Sequence, residues 1–134
     1  MSAFARKIAL AAPVVALSLC VGCASVHTAT DFSGVKVEEH MAPIETVEIT
    51  NTGWSLFMCI PIASGNVDAP NVASTRFFSR TVTLENNMKM LSDEMARVKA
   101  KKIANLTSRY TDENVLLILL KRRAYHTSAV LLGE

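Results

Sequence analysis

Leu84-Glu85-Asn86-Asn87-Met88-Lys89-Met90-Leu91-Ser92-Asp93-Glu94-Met95-Ala96-Arg97-Val98-Lys99-Ala100-Lys101 decides the fold class. Leu84, Met88, Leu91, Met95 and Val98 recur at spacings of 4, 3, 4 and 3. At about 100° per residue they fall within an arc of about 80°, the mark of an amphipathic helix. Thr83 is a natural N-cap. Glu85, Asp93 and Glu94 lie in the first part and Arg97, Lys99, Lys101 and Lys102 in the last, an order that suits the helix dipole. Lys102 would return to the apolar stripe, so the helix is expected to end at or just before it. On this phase Met90 lies off the stripe.

The flanks read as strands. Val47 and Ile49 alternate with Glu48 and Thr50, which predicts a half-buried strand over 46–51. Asn51-Thr52-Gly53 is a turn signal. Residues 54–60 are apolar on both parities, and Pro61 argues against a long central strand there. Residues 63–71 read as a loop, with an extended piece over 74–82. After the helix, 103–110 reads as a strand and Thr111-Asp112-Glu113-Asn114 as a polar turn. Val115-Leu116-Leu117-Ile118-Leu119-Leu120 reads as a central strand, being six apolar residues in a row. Lys121-Arg122-Arg123 interrupts before a last strand over 124–132. The expectation is an α+β domain over residues 46–134: a small, mainly antiparallel sheet with one amphipathic helix packed on it, in the order β-β-α-β-β.

Upstream, Arg6 and Lys7 precede 15 uncharged residues, 8–22, which end in Leu19-Cys20-Val21-Gly22-Cys23. This run is short for a membrane span, which needs about 20 residues. A basic head, an apolar run and small residues at its end describe an export signal. The segment resembles the signal of bacterial lipoproteins: Val21, Gly22 and Cys23 match three of the four lipobox positions, and Cys20 stands where Leu is usual. The resemblance implies cleavage before Cys23 and lipid on its sulfur, with residues 1–22 as signal peptide. Ala24 stands where an Asp would hold such a protein at the inner membrane, which implies the periplasmic face of the outer membrane in a Gram-negative host. An ordinary secretory signal or a retained N-terminal helix is the alternative. Residues 23–45 read as the lipidated N-terminus and a tether that lets the domain stand off the membrane.

Removing 22 of the 134 residues leaves 112, one small domain. Without Arg6 and Lys7 the 14 basic residues become 12, matching the 12 acidic ones. No global basic field remains to attract nucleic acid. Cys59 is left as the one thiol, which in so apolar a run reads as a small buried hydrophobe.

No chemistry-bearing motif rises above this background. Met88-Lys89-Met90 has a copper-handler form, but residues two apart on a helix lie about 200° apart and cannot share an ion. His27, His40 and His126 lack zinc-ligand spacing; His40-Met41 falls in the tether. His126 and Ser128 share a strand face, with no carboxylate nearby in sequence and no Gly-x-Ser-x-Gly elbow. Glu38-Glu39, Asp93-Glu94 and Asp112-Glu113 read as solvated charge, and Lys121-Arg122-Arg123 as a strand end able to meet lipid phosphate. The five glycines form no phosphate loop. No catalytic, cofactor or metal residue is assigned. The expected function is that of a lipid-anchored cell-envelope lipoprotein, not an enzyme, with a structural or interaction role. Its expected partners are the membrane, through Cys23, and an envelope protein. A binding module for a small ligand or metal is the alternative, and an envelope hydrolase the third reading.

Overall fold

A computed structural model describes residues 22–30, 32, 41–117 and 119–133. Residues 1–21 of the expected signal, and residues 31 and 33–40 of the expected tether, with Glu38-Glu39 and His40, lie outside the described residues. The elements are β1 (Ala24–Ala29), β2 (Ala42–Leu56), β3 (Ile60–Gly65), β4 (Thr75–Phe77), α1 (Leu84–Val98), β5 (Lys102–Leu116) and β6 (Leu120–Gly133). The strands form one antiparallel sheet in the order β4-β3-β2-β6-β5, with β1 on the same edge of β2 as β3. The α+β class with a mainly antiparallel sheet and a helix holds. The element order does not: among the described residues six strands are present, four of them before the helix.

The helix forms where the periodicity places it. Thr83 Oγ1 accepts from the Asn86 amide at 3.2 Å, and Lys99 ends the helix in the left-handed region with φ of 57°. Its phase is rotated by roughly 60° from the apolar stripe. Asn87, Met90 and Leu91 are buried, Met88, Met95 and Val98 are partly so, and Leu84 is exposed. Met90 is therefore a core residue. The cause is Asn87, whose Nδ2 donates to Thr127 Oγ1 at 3.1 Å and to the Tyr125 carbonyl at 3.2 Å and so turns that face to the sheet. Val47 and Ile49 of β2 with Ala129 and Leu131 of β6 form the opposing wall. Burial of these side chains, worth roughly 1.5–3 kcal/mol for each large one, holds the helix on the sheet.

Four other sequence expectations give way. Asn51-Thr52-Gly53 is not a turn, because β2 runs straight through it. Asn51 is fully buried and donates to the Thr81 carbonyl at 2.5 Å, and a Cβ on Gly53 would lie 2.6 Å from Val82 Cγ2. The Asn and the Gly there answer to tertiary packing. Thr111–Asn114 is likewise strand, paired with 121–124. The apolar run over 115–120 is no central strand, because it carries the turn between β5 and β6. The first part of the tether is also ordered: Ala24–Ala29 pair with 46–51 of β2, and the domain begins at the expected lipidation site.

Candidate functional site

Cys23 is exposed, and its thiol is free. Its peptide is fixed in place. The Cys23 carbonyl accepts from the Thr52 amide at 2.7 Å, and the Ala24 carbonyl accepts from the Asn71 amide at 2.9 Å. Asn71, with φ of 65°, closes the outer edge of β1: its Oδ1 accepts from the Val26 amide at 2.8 Å and its Nδ2 donates to the Val26 carbonyl at 2.9 Å. Gly65 explains how the chain enters so tightly. A Cβ there would sit 2.3 Å from the Ala24 nitrogen and 2.4 Å from the Cys23 carbonyl carbon, so only glycine lets the two backbones cross. A sulfur at the head of this strand is held within one residue of the sheet.

The far ends of the strands differ from this. The β2–β3 turn places Phe57, Met58 and Ile60 in solvent, and the β5–β6 turn does the same with Leu116, Leu117 and Leu119. Leu117 is 81% exposed and Phe57 56%. Cys59 is exposed here too, which corrects its reading as a buried hydrophobe. Phe57, Met58 and Leu117 have φ of 46°, 63° and 48°, the left-handed region that costs most non-glycine residues roughly 1–2 kcal/mol each. Phe77 and Phe78 continue the apolar surface along the β4 edge.

The cations flanking these turns are positioned. Arg123 Nη2 donates to the Met58 carbonyl at 2.6 Å and Arg80 Nη2 to the Cys59 carbonyl at 2.8 Å. Lys121 pairs with Asp112 at 2.8 Å, and Arg122 is exposed. Beside Asp112, burial pushes the Tyr110 hydroxyl above its ordinary value; its ring lies 4.8 Å from that of Tyr125.

On the sheet face away from the helix, His126 Nδ1 lies 3.1 Å from Thr50 Oγ1. Ser128 lies opposite Glu48, which in turn lies opposite His27. The carboxylate that sequence spacing could not supply is thus on the right face, brought there by β2. Among the described residues, however, no hydrogen bond joins Ser128 to His126 or His126 to Glu48, so the three are neighbours without a proton path. Met88 and Met90 both turn toward the core and present no chelating pair to solvent. Among the described residues no group of three His, Cys, Asp or Glu side chains could hold a metal.

Recesses also lie among the described residues. One, of about 100 Å³, lies beneath the N-terminus of α1 and is lined by Ser55, Ser64, Ser79, Arg80, Thr83 and Arg123 among others. Ser55 is 3% exposed, and neither its Oγ nor Arg123 Nε has a partner. The other is an open groove of about 540 Å³ between β1, the 66–71 loop and α1. Of its charges, Asp68 pairs with Lys89 and Arg76, and Glu94 with Arg97, while Asp93 also lines it. Among the described residues no helix is long and apolar enough to cross a membrane. No protein family, curated protein or solved structure matches the chain.

Proposed function

We propose that this chain is a lipid-anchored envelope protein of the bacterial lipoprotein type, with lipid on the Cys23 sulfur and recognition of an envelope partner as its activity. The observation that carries the reading is the pairing of an export-signal pattern ending at Cys23 with an exposed thiol at that residue. A sulfur at this position is accessible to acyl transfer, and the strand after it would carry the pull of the anchor straight into the sheet. The anchor would then act without a spacer, holding the domain against the bilayer. Ala24 favours the periplasmic face of an outer membrane.

Replacing Cys23 with Ser is expected to abolish metabolic labelling by palmitate and to release the protein from the membrane fraction or stall it with its signal attached. Unchanged labelling of the variant would overturn the proposal.

A second reading, a binding module for a small anion, is favoured by the recess beneath α1, where the buried Ser55 hydroxyl and the Arg123 Nε both lack partners. An envelope hydrolase built on His126 and Ser128 has no comparable support.

A further inference from the structure

We propose that the paired turns at 57–60 and 116–119 form a bilayer-entering tip, a second membrane contact in addition to the lipid; this rests on the envelope reading. Three observations converge. The first is the backbone bookkeeping. The Phe57 amide donates to the Leu119 carbonyl at 3.0 Å, the Cys59 amide to the Leu56 carbonyl at 3.1 Å, and the Leu119 amide to the Leu116 carbonyl at 2.9 Å. The Met58 and Cys59 carbonyls accept from Arg123 and Arg80. The Cys59–Leu56 and Leu119–Leu116 bonds are the ordinary closures of tight turns; the Phe57–Leu119 bond joins the two turns, and the two guanidiniums take carbonyls that a turn in water leaves to solvent. A segment that enters lipid needs such internal partners.

The second observation is residue choice. Left-handed turn positions favour Gly, Asn and Asp. Here they hold Phe57, Met58 and Leu117, which are poor in that conformation and poor in water. Neither property helps the isolated domain fold, and the exposure is relieved if the side chains enter an apolar phase. The third is charge. Lys121, Arg122 and Arg123 follow the tip along β6, with Lys121 nearest to it, and Arg80 bonds the Cys59 carbonyl, so cations would lie at headgroup depth when the apolar residues pass beyond it. Asp112 and Glu113 lie at the same level on β5, opposite Arg123 and Arg122, and Asp112 pairs with Lys121, which leaves the cations in excess there.

The anchor is compatible with this orientation. The Cys23 carbonyl bonds to Thr52, four residues before Leu56 on β2, which places the Cys23 backbone about 14 Å behind Leu56 at about 3.4 Å per residue. A tip entering about 5–10 Å and a tilted domain bring both to one surface, with Phe77 and Phe78 along the edge between them.

Trp54, the only tryptophan, stands two residues before Leu56 and reports depth. The full chain purified from membranes is reconstituted in phosphatidylethanolamine–phosphatidylglycerol vesicles with brominated acyl chains. The expected result is strong quenching of Trp54, reduced several-fold in F57N/L117N although that variant stays vesicle-bound through its lipid. Asn suits both left-handed positions, so the variant should fold at least as well in water, and urea denaturation checks this. Equal quenching of the two proteins, or none in either, would overturn the proposal. So would Cys59–Cys59 cross-linking between copies on the vesicles, which would make the tip a protein contact. Palmitate labelling at Cys23 is read separately. An unacylated chain whose Trp54 is still quenched would refute the anchor and leave the tip standing.

Discussion

The two halves of the sheet obey different rules. β2, β5 and β6, of 15, 15 and 14 residues, run the length of the molecule. Where 45–51 of β2 and 127–132 of β6 lie under α1, apolar side chains are buried, and Asn87 Nδ2 donates to Thr127, while Asn51 Oδ1 and Asn87 Oδ1 are without partners. Where the same strands pass beyond the helix, the largest apolar side chains lie in water and polar groups line the recess beside them. Folding energy is therefore concentrated at the helix-covered half, and the projecting half is carried by hydrogen bonds to its neighbours. A half that adds little to stability but keeps exposed Phe, Met and Leu in costly conformations is shaped for something outside the chain.

The sharpest test of that contrast is truncation in each half. Leu91, 1% exposed, and Met90, 2% exposed, should each lose about 3 kcal/mol on replacement by Ala in urea denaturation. Leu117→Ala, at a residue 81% exposed, should change stability by less than about 0.5 kcal/mol. The Met90 measurement also reports the helical phase, since a stripe centred on Leu84, Met88 and Leu91 would leave Met90 dispensable. Comparable losses at Leu117 and Leu91 would end the distinction between the halves.

The same split governs what could be read in advance. The helix and the 46–50 alternation were legible because their side chains obey one periodicity against one core. The turns were not. Phe57, Met58 and Leu117 stand where turn chemistry asks for Gly or Asn, so the true reversals looked like buried strand. Asn51-Thr52-Gly53 and Thr111–Asn114 carry turn residues for other reasons, the first to bond Thr81 and admit Val82, the second because a projecting strand with little cover needs no apolar side. β1 was hidden because it is a short edge strand of small residues, closed by Asn71, 45 residues from its Val26 partner. The pairing of the strand that follows Cys23 with β2 was a tertiary fact. Glu48 beside Ser128 was equally out of reach, being set by the register of β2 on β6.

Between core and tip lies the crossing of Gly65 with Cys23 and Ala24. Gly65→Ala should cost about 1–3 kcal/mol, because its neighbours are backbone atoms at 2.3 and 2.4 Å that cannot rotate away. The loss should be local. Amides of β1 should gain exchange rate together with Thr52, while those of Val47 and Ile49 paired to β6 stay protected. Uniform loosening of the sheet would mean that β1 belongs to the core.

The smallest expected effect is electrostatic. Hydrogen bonding and charge from Lys89, then charge from Arg76, hold the Asp68 carboxyl below the usual carboxylate range, and Asp68 holds the Lys89 ammonium above its own. A carboxyl depressed in the folded state adds stability that is present above its unfolded value and disappears as pH falls through the folded one. The lysine shift acts at the other end: its share is present below the ordinary ammonium value and fades as pH rises past it. The pair is thus intact across neutral pH and fails first in acid. All three side chains are about half exposed, so solvent and salt screen them heavily. Melting curves at pH 7 and pH 3 should differ slightly less in Asp68→Asn than in the parent chain, and the difference should vanish in high salt. Because Asp68 ties the 66–71 loop to α1 and β4, a large, salt-resistant effect would place that loop with the helix-covered half and not with the strand that carries Cys23.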